Sequence, residues 1–399
     1  MKVGILNIGN EVLLGHTINT NLFLIAKKLR DYGILVGEQR CVEDREADII
    51  SSLKDLMDKY DLVFTSGGLG PTDDDLSSQA VAKALGRDFV FNEEAYTDVE
   101  NYFKISHREM SPNNKKLAYF PQGANILKND LGTAAGYYIE DGGKTIVVLP
   151  GPPREVENIL DKFLKNLPKE DMLLTTINTF GLGESMLENR LRSLNLCPDL
   201  FINTYFNING VDIKILADEK YKDEFNKAKE KICLEFKENI YDLDSKSISK
   251  SLLNKLREKN LKIAFAESCT GGKLASNFVE NPSASDALLA SLVTYSEEAK
   301  MKVLKVKEET LKAYTAVSEE TAREMLEGLK NIFDADLFTV TTGYASPTND
   351  PKTEGLVYIG IYSKKDDKTL IIKNHYQGSR VQIIDRVTAN VYFNLIKLI

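Results

Sequence analysis

Apolar and polar positions follow two rhythms along the first 165 or so residues. Short apolar runs at 3–8, 34–42 and 62–65 read as strands. Between them, 21–31 (closed by Gly33) and 47–59 place apolar residues at helical spacing. That order is the pattern of β-α-β units around a parallel sheet. A further strand is predicted at 145–149. Pro150-Gly151-Pro152-Pro153 ends it and opens a helix near Arg154, because proline cannot donate to a strand ladder but suits a first helical turn.

From about 168 the rhythm weakens. Strand-like segments at 175–180 and 211–217, an amphipathic stretch at 184–193 and a Lys/Glu-rich helix over 220–238 read as a small α+β module. The polar run Asp242-Leu243-Asp244-Ser245-Lys246-Ser247 marks a boundary near 245. Beyond it the alternation returns. Strands are predicted at 262–266, 287–295, 337–342, 356–362 and 369–373, with helices ending at 258, beginning at 272, and spanning 318–333 and 380–398. The predicted fold class is α/β: two α/β domains with mainly parallel sheets, 1–167 and 246–399, joined by a small α+β connector, 168–245. No internal repeat relates the two.

Composition narrows the chemistry. The 399 residues carry 51 Lys+Arg against 59 Asp+Glu, a net charge of −8, so the chain as a whole attracts neither nucleic acid nor anionic lipid, and any anion site must be local. No apolar run approaches the roughly 20 residues that span a bilayer. The N-terminus leads straight into a strand without a secretory pattern, and the expected location is the cytoplasm. Cys41, Cys197, Cys233 and Cys269 lie far apart, and His16, His107 and His375 fall in separate regions. Disulfide frameworks, zinc clusters and histidine triads are therefore disfavoured, and catalysis needs another base.

Two strand-end loops of the first domain carry candidate chemistry, because ligands of such sheets gather at the carboxyl ends of strands. Gly9-Asn10-Glu11 follows the first strand, and Ser66-Gly67-Gly68-Leu69-Gly70-Pro71-Thr72-Asp73-Asp74-Asp75 follows the third. Glycines let amides approach a phosphate, and adjacent aspartates can hold a divalent cation. A plain strand-to-helix turn with aspartates at a helix start accounts for the same letters. No Gly-Lys-Ser/Thr follows, so it is not a Walker loop.

The second constellation is Ala266-Glu267-Ser268-Cys269-Thr270-Gly271-Gly272-Lys273, at a strand end that opens a helix whose free amides can stabilise an oxyanion. It also reads as a simple capping turn. Chemistry alone does not choose between Ser268 and Cys269 as a nucleophile. A serine lacking a nearby histidine needs a lysine of lowered pKa. Val293-Thr294-Tyr295-Ser296-Glu297-Glu298-Ala299-Lys300 offers one, with Tyr295 at a strand end, Ser296 capping the next helix and Lys300 within its first two turns. A surface Lys300 paired with Glu297 is the ordinary alternative. A third loop, Thr341-Thr342-Gly343-Tyr344-Ala345-Ser346-Pro347-Thr348-Asn349-Asp350, and Arg380 at the start of the last helix are candidate phosphate contacts.

With these motifs in order, the chain resembles the competence/damage-inducible CinA family over essentially its whole length. The N-terminal part is similar to the family's molybdopterin-binding-like (MoaB/MogA-type) domain through 8–15, Asn19-Thr20-Asn21, 67–72 with Asp74-Asp75, Gly132-Thr133-Ala134 and Leu149-Pro150-Gly151. The C-terminal part is similar to its nicotinamide mononucleotide deamidase domain through 266–272 and 293–300.

The resemblance implies a nicotinamide-nucleotide amidohydrolase, with Ser268 acylated and Tyr295 and Lys300 completing a Ser-Tyr-Lys set. Thr270, Gly271, Gly272, Thr342, Gly343 and Arg380 are then expected to bind substrate, with no cofactor required. It further implies an N-terminal ADP-ribose pyrophosphatase site built from Glu11, Gly67, Gly68, Gly70, Thr72, Asp74 and Asp75, with a divalent metal on Asp74 and Asp75. Expected partners are nicotinamide mononucleotide, ADP-ribose and a second copy in a homodimer, not nucleic acid or membrane. The chain departs from the family at Asn10, where aspartate is usual, and at Tyr344–Asp350, within a loop that in the family reads Thr-Gly-Ile-Ala-Gly-Pro followed by glycines. A non-catalytic nucleotide- or pterin-binding protein is the alternative.

Overall fold

The computed structural model describes residues 2–168, 172–208, 210–245, 247–345 and 353–399, and the chain divides into two units, 1–172 and 173–399. Unit one begins β1 (Lys2–Ile8), α1 (Asn10–Leu13), α2 (Thr20–Arg30), β2 (Leu35–Val42), α3 (Glu46–Lys59) and β3 (Leu62–Ser66). It continues through α4 (Ser77–Ala84), β4 (Phe89–Phe91), α5 (Glu93–Ser106), β5 (Tyr119–Pro121), β6 (Asn125–Leu127), β7 (Gly136–Asp141), β8 (Lys144–Leu149) and α6 (Pro153–Leu164).

Six of these strands form one sheet in the order β2-β1-β3-β8-β7-β6. β2, β1, β3 and β8 run parallel, as expected, while β7 is antiparallel to both its neighbours. β1 is buried on both faces. Val3 and Ile5 pack with Ile25, Leu29 and the α6 residues Val156, Ile159, Leu160 and Phe163, while Leu6 and Ile8 pack with Ile49, Leu53 and Val81 on the other side. The apolar spacing of α6 is what buries one of its faces. The β1 and β3 ends lie side by side, Asn7 opposite Ser66, so their two loops meet at one edge of the sheet.

Unit two opens with β9 (Met172–Thr179), α7 (Glu184–Ser193), β10 (Phe201–Asn207), β11 (Gly210–Asp218), α8 (Lys222–Glu235) and β12 (Ile240–Leu243), whose strands form a sheet ordered β10-β11-β9-β12. Then follow α9 (Ile248–Glu258), β13 (Ile263–Glu267), α10 (Lys273–Val279), β14 (Leu288–Val293), α11 (Glu297–Leu304), α12 (Glu308–Tyr314), α13 (Glu319–Ile332), β15 (Leu337–Gly343), β16 (Leu356–Ser363), β17 (Lys368–His375) and α14 (Arg380–Leu398).

The five-stranded sheet β14-β13-β15-β16-β17 is parallel across its first three strands and antiparallel beyond. Ile263 and Phe265 pack on residues of α9, α10 and α14, and Ala264 and Ala266 on residues of α11, α12 and α13. A strand covered on both faces favours apolar residues on both, which is why 263–266 shows no alternation. Its last residue, Glu267, is the exception.

Candidate functional site

At the carboxyl end of β13 the chain turns sharply. Gly271 and Gly272 take consecutive positive φ values of 60° and 98°, conformations that favour glycine, and α10 starts at Lys273. Ser268 is nearly buried in this turn, and its amide donates to Thr341 O on β15 at 3.0 Å. From the other side comes Lys300. Ser296 caps α11 by accepting from the Ala299 amide, which fixes where the helix begins and sends Lys300 inward.

Lys300 is 1% exposed. Its Nζ lies 2.8 Å from Ser268 Oγ, 2.9 Å from Thr294 O and 3.2 Å from Tyr295 O. No carboxylate among the described residues bonds it, so the surface pairing with Glu297 is not what forms. Burial pushes its pKa below the usual lysine value, with smaller opposing contributions from Cys269 and Glu297. The three contacts suit a neutral amine, whose two hydrogens go to the two carbonyls and whose lone pair faces the serine hydroxyl.

Cys269 borders the same cleft but is 5% exposed, and burial raises its thiol to about 12, leaving negligible thiolate near neutrality. Geometry therefore separates the two neighbours that sequence chemistry left open. Tyr295 is 60% exposed at the rim; its carbonyl faces Lys300, while its hydroxyl accepts from Arg380 at 3.0 Å. Ser268, Cys269, Tyr295, Lys300, Thr342, Gly343, Tyr344 and Arg380 line a cleft of about 370 Å³.

The expected substrate contacts divide into two groups. Thr342, Gly343 and Arg380 line the cleft, but Thr270, Gly271 and Gly272 do not. Thr270 is buried with its hydroxyl 2.8 Å from that of Thr341, and the two glycines shape the turn. Of the divergent third loop, Tyr344 and Ala345 border the cleft, whereas Ser346–Asp350 fall outside the described residues.

The helix amides behave differently from expectation. The fully buried Glu267 carboxylate accepts from the Gly272, Leu274 and Ala275 amides at 2.9, 3.0 and 3.0 Å, so the α10 N-terminus is already occupied. Within the turn, the Cys269 and Thr270 amides are the ones with no hydrogen-bond partner among the described residues. Sequence reasoning passed over Glu267. Its signal is a carboxylate closing an otherwise apolar strand.

In unit one, Glu11, Gly67, Gly68, Gly70, Asp74 and Asp75 line one cleft of about 330 Å³, together with Asp44, Thr133, Pro150, Gly151 and Glu155. Gly67 is required there: φ is 104°, and a Cβ would lie 2.1 Å from Ile8 O. Thr72 is not a lining residue. Its hydroxyl contacts both Asp74 and Asp75, which lowers the Asp74 pKa. Asp44, at the end of β2, was also missed. It accepts from the Asn10 amide at 2.8 Å and thereby brings a carboxylate to the place where Asn10 lacks one. Burial, then the charges of Glu11, Asp74 and Asp75, push its pKa up.

Comparison with known proteins decides the family. The description "Probable molybdopterin binding domain" matches residues 4–169, and the CinA C-terminal domain matches 245–399. A CinA-like protein of Fusobacterium nucleatum is 39% identical over 408 aligned positions, covering 100% of this chain and 99% of that one. The chain belongs to the CinA family. A Clostridium beijerinckii relative named for competence-damage induction is 37% identical over 96% of both chains. A solved CinA structure from Thermoplasma acidophilum is 33% identical, covering 41% of this chain and 96% of that one, with a TM-score of 0.39. This CinA-family chain thus pairs a MoaB/MogA-like domain with a CinA C-terminal domain, and each contains one of the two clefts.

Proposed function

We propose that the C-terminal unit is a nicotinamide-nucleotide amidohydrolase that converts nicotinamide mononucleotide to nicotinate mononucleotide and ammonia. The observation that carries this reading is the buried Lys300 Nζ, 2.8 Å from Ser268 Oγ and held by two carbonyls. Ser268 Oγ attacks the carboxamide carbon as its proton passes to Lys300. Cys269 borders the cleft, and its amide is the available donor to the oxyanion. Lys300 returns the proton to the departing nitrogen, the C–N bond breaks and ammonia leaves. Water, deprotonated by Lys300, then opens the acyl ester. Tyr295 and Tyr344 supply aromatic walls for a pyridine ring, and the Arg380 guanidinium suits its phosphate.

The direct test is ammonia release from nicotinamide mononucleotide without added metal. Ser268→Ala should reduce turnover by about a thousandfold or more, while Cys269→Ala should retain most of it. Binding without product in the wild type would favour a non-catalytic nucleotide-binding protein.

In unit one the glycine loop and its carboxylates support a second activity, metal-assisted cleavage of ADP-ribose to AMP and ribose 5-phosphate. Among the described residues, no three His, Cys, Asp or Glu side chains gather closely enough to hold a metal ion by themselves. The residues instead fit a hydrated divalent cation, which takes one or two carboxylates and completes its shell with water and phosphate oxygens. Asp74 and Asp75 are the carboxylates assigned to it. When bound, such a cation neutralises diphosphate charge and polarises the phosphorus under attack. The repulsion among Asp44, Glu11, Asp74 and Asp75 is what a cation there would relieve.

A further inference from the structure

Glu267 has no role in the chemistry above, yet it touches both halves of the site. It is the last residue of β13, aligned with Val293 on β14 and Thr341 on β15, and it is fully buried. A carboxylate in that position is costly unless every oxygen is satisfied. Here Oε2 accepts from the Gly272 and Leu274 amides, and Oε1 from the Ala275 amide and the Ser291 hydroxyl at 3.0 Å. The partners are the positive end of α10 and a hydroxyl on β14, with no lysine or arginine among them.

The main chain of the same residue reaches the other way. Glu267 O accepts from the Thr294 amide at 2.8 Å, and Thr294 O is one of the two carbonyls that hold Lys300 Nζ. The carboxylate therefore fixes the turn that presents Ser268, and the carbonyl fixes the segment that orients Lys300. Gly272, the residue before α10, provides no side-chain cap, so the helix start depends on this carboxylate.

We infer that Glu267 is a positioning residue for the Ser268–Lys300 pair, holding the serine turn against β14 through the α10 amides. This rests on the amidohydrolase reading, but its test does not require the same substrate. Glutamine keeps one carbonyl oxygen for Gly272 and Leu274, and its NH2 faces Ser291, which can turn to accept. Only the Ala275 amide then loses its acceptor. Alanine leaves three buried amides without one. The expected order of turnover is wild type, then Glu267→Gln, then Glu267→Ala, with kcat falling at least tenfold in the glutamine variant and KM within about twofold.

The companion measurement is the rate at which a fluorophosphonate labels Ser268 in the full-length protein, which reports serine reactivity whatever the natural substrate. It should fall in parallel with kcat. Ser291→Ala, which removes one hydroxyl from Oε1 and leaves the helix amides bonded, provides a mild perturbation in a folded protein and should lower both rates two- to fivefold. Labelling of wild type without release of ammonia would overturn the substrate reading and leave Glu267 to be judged by labelling alone. Labelling rates unchanged in folded Glu267→Gln and Ser291→Ala proteins would overturn the positioning role, as would a loss confined to KM. A wild-type Ser268 that does not label would overturn the role together with the reactive pair it serves.

Discussion

Lys300 occupies a position where a charged lysine is costly, and in the proposed mechanism that cost is the source of its reactivity. Burial lowers its pKa, so the folded protein binds fewer protons there than the unfolded chain. Stability then rises with pH from the lowered value up to the ordinary lysine value of 10.5. In the proposed mechanism turnover requires the neutral amine, so it should rise with pH over the same titration, with an inflection below 10.5. Lys300→Met should remove both dependences. Ammonia release should fall by about a thousandfold, while the melting temperature at neutral pH stays level or increases, because an apolar side chain of similar length fills the space without a desolvated amine. A pH–rate profile and melting curves across pH check this. An inflection at or above the free-lysine value would contradict the assignment. Sequence pattern shows Ser268, Cys269 and Lys300 as candidates, but their ranking depends on burial, which depends on the neighbours that enclose them.

The site is set by how few elements carry it and how closely they pack. β13 supplies Glu267, the turn that follows it supplies Ser268, and α11 supplies Lys300. α11 is pressed against α13, where Gly328 faces the end of α11 so closely that a Cβ would lie 1.9 Å from Leu304 O. Gly328→Ala improves intrinsic helix propensity by about 1 kcal/mol, yet it forces the two helices apart. The expected net result is a loss of about 1–3 kcal/mol, a melting temperature lower by several degrees, and reduced ammonia release as Lys300 moves from Ser268. A variant as stable and active as wild type would show that the contact yields without cost. Strands β1 and β13 were legible because a strand covered on both faces is apolar at most positions, and β15 because its buried threonines are β-branched residues that favour strands. β10 and β12 were not: Phe201–Asn207 mixes exposed and half-buried positions without strict alternation, and Ile240–Leu243 is only four residues long. β4, β5 and β6 gave no reading because they are three residues each.

At the scale of the molecule, the two clefts described above have opposite electrostatic requirements. One hides a lysine of lowered pKa beside a serine, and the other gathers Glu11, Asp44, Asp74 and Asp75 around a glycine loop. Their chemistry should be separable in the intact protein. Chelation, or Asp74→Ala, is expected to abolish AMP production from ADP-ribose and leave ammonia release unchanged, whereas Ser268→Ala does the reverse. AMP production that persists in both chelator and Asp74→Ala would remove the metal assignment. With a net charge of −8, any anionic ligand has to be held by local groups rather than by a basic face. No helix among the described residues is long and apolar enough to cross a membrane.

The sequence by itself determined the α/β rhythm, the two strand-end glycine loops, the capped start of α11 and the family, because these depend on local periodicity and on residue types at fixed spacing. Only the tertiary structure decided that Lys300 meets Ser268 across 32 positions, that Asp44 brings a carboxylate to the cleft beside Asn10, and that Glu267 occupies the helix amides expected to serve an oxyanion. Each of those depends on which strands lie side by side and what they bury. A carboxylate or an amine acquires its role from the groups that replace its water, and those groups are far away along the chain.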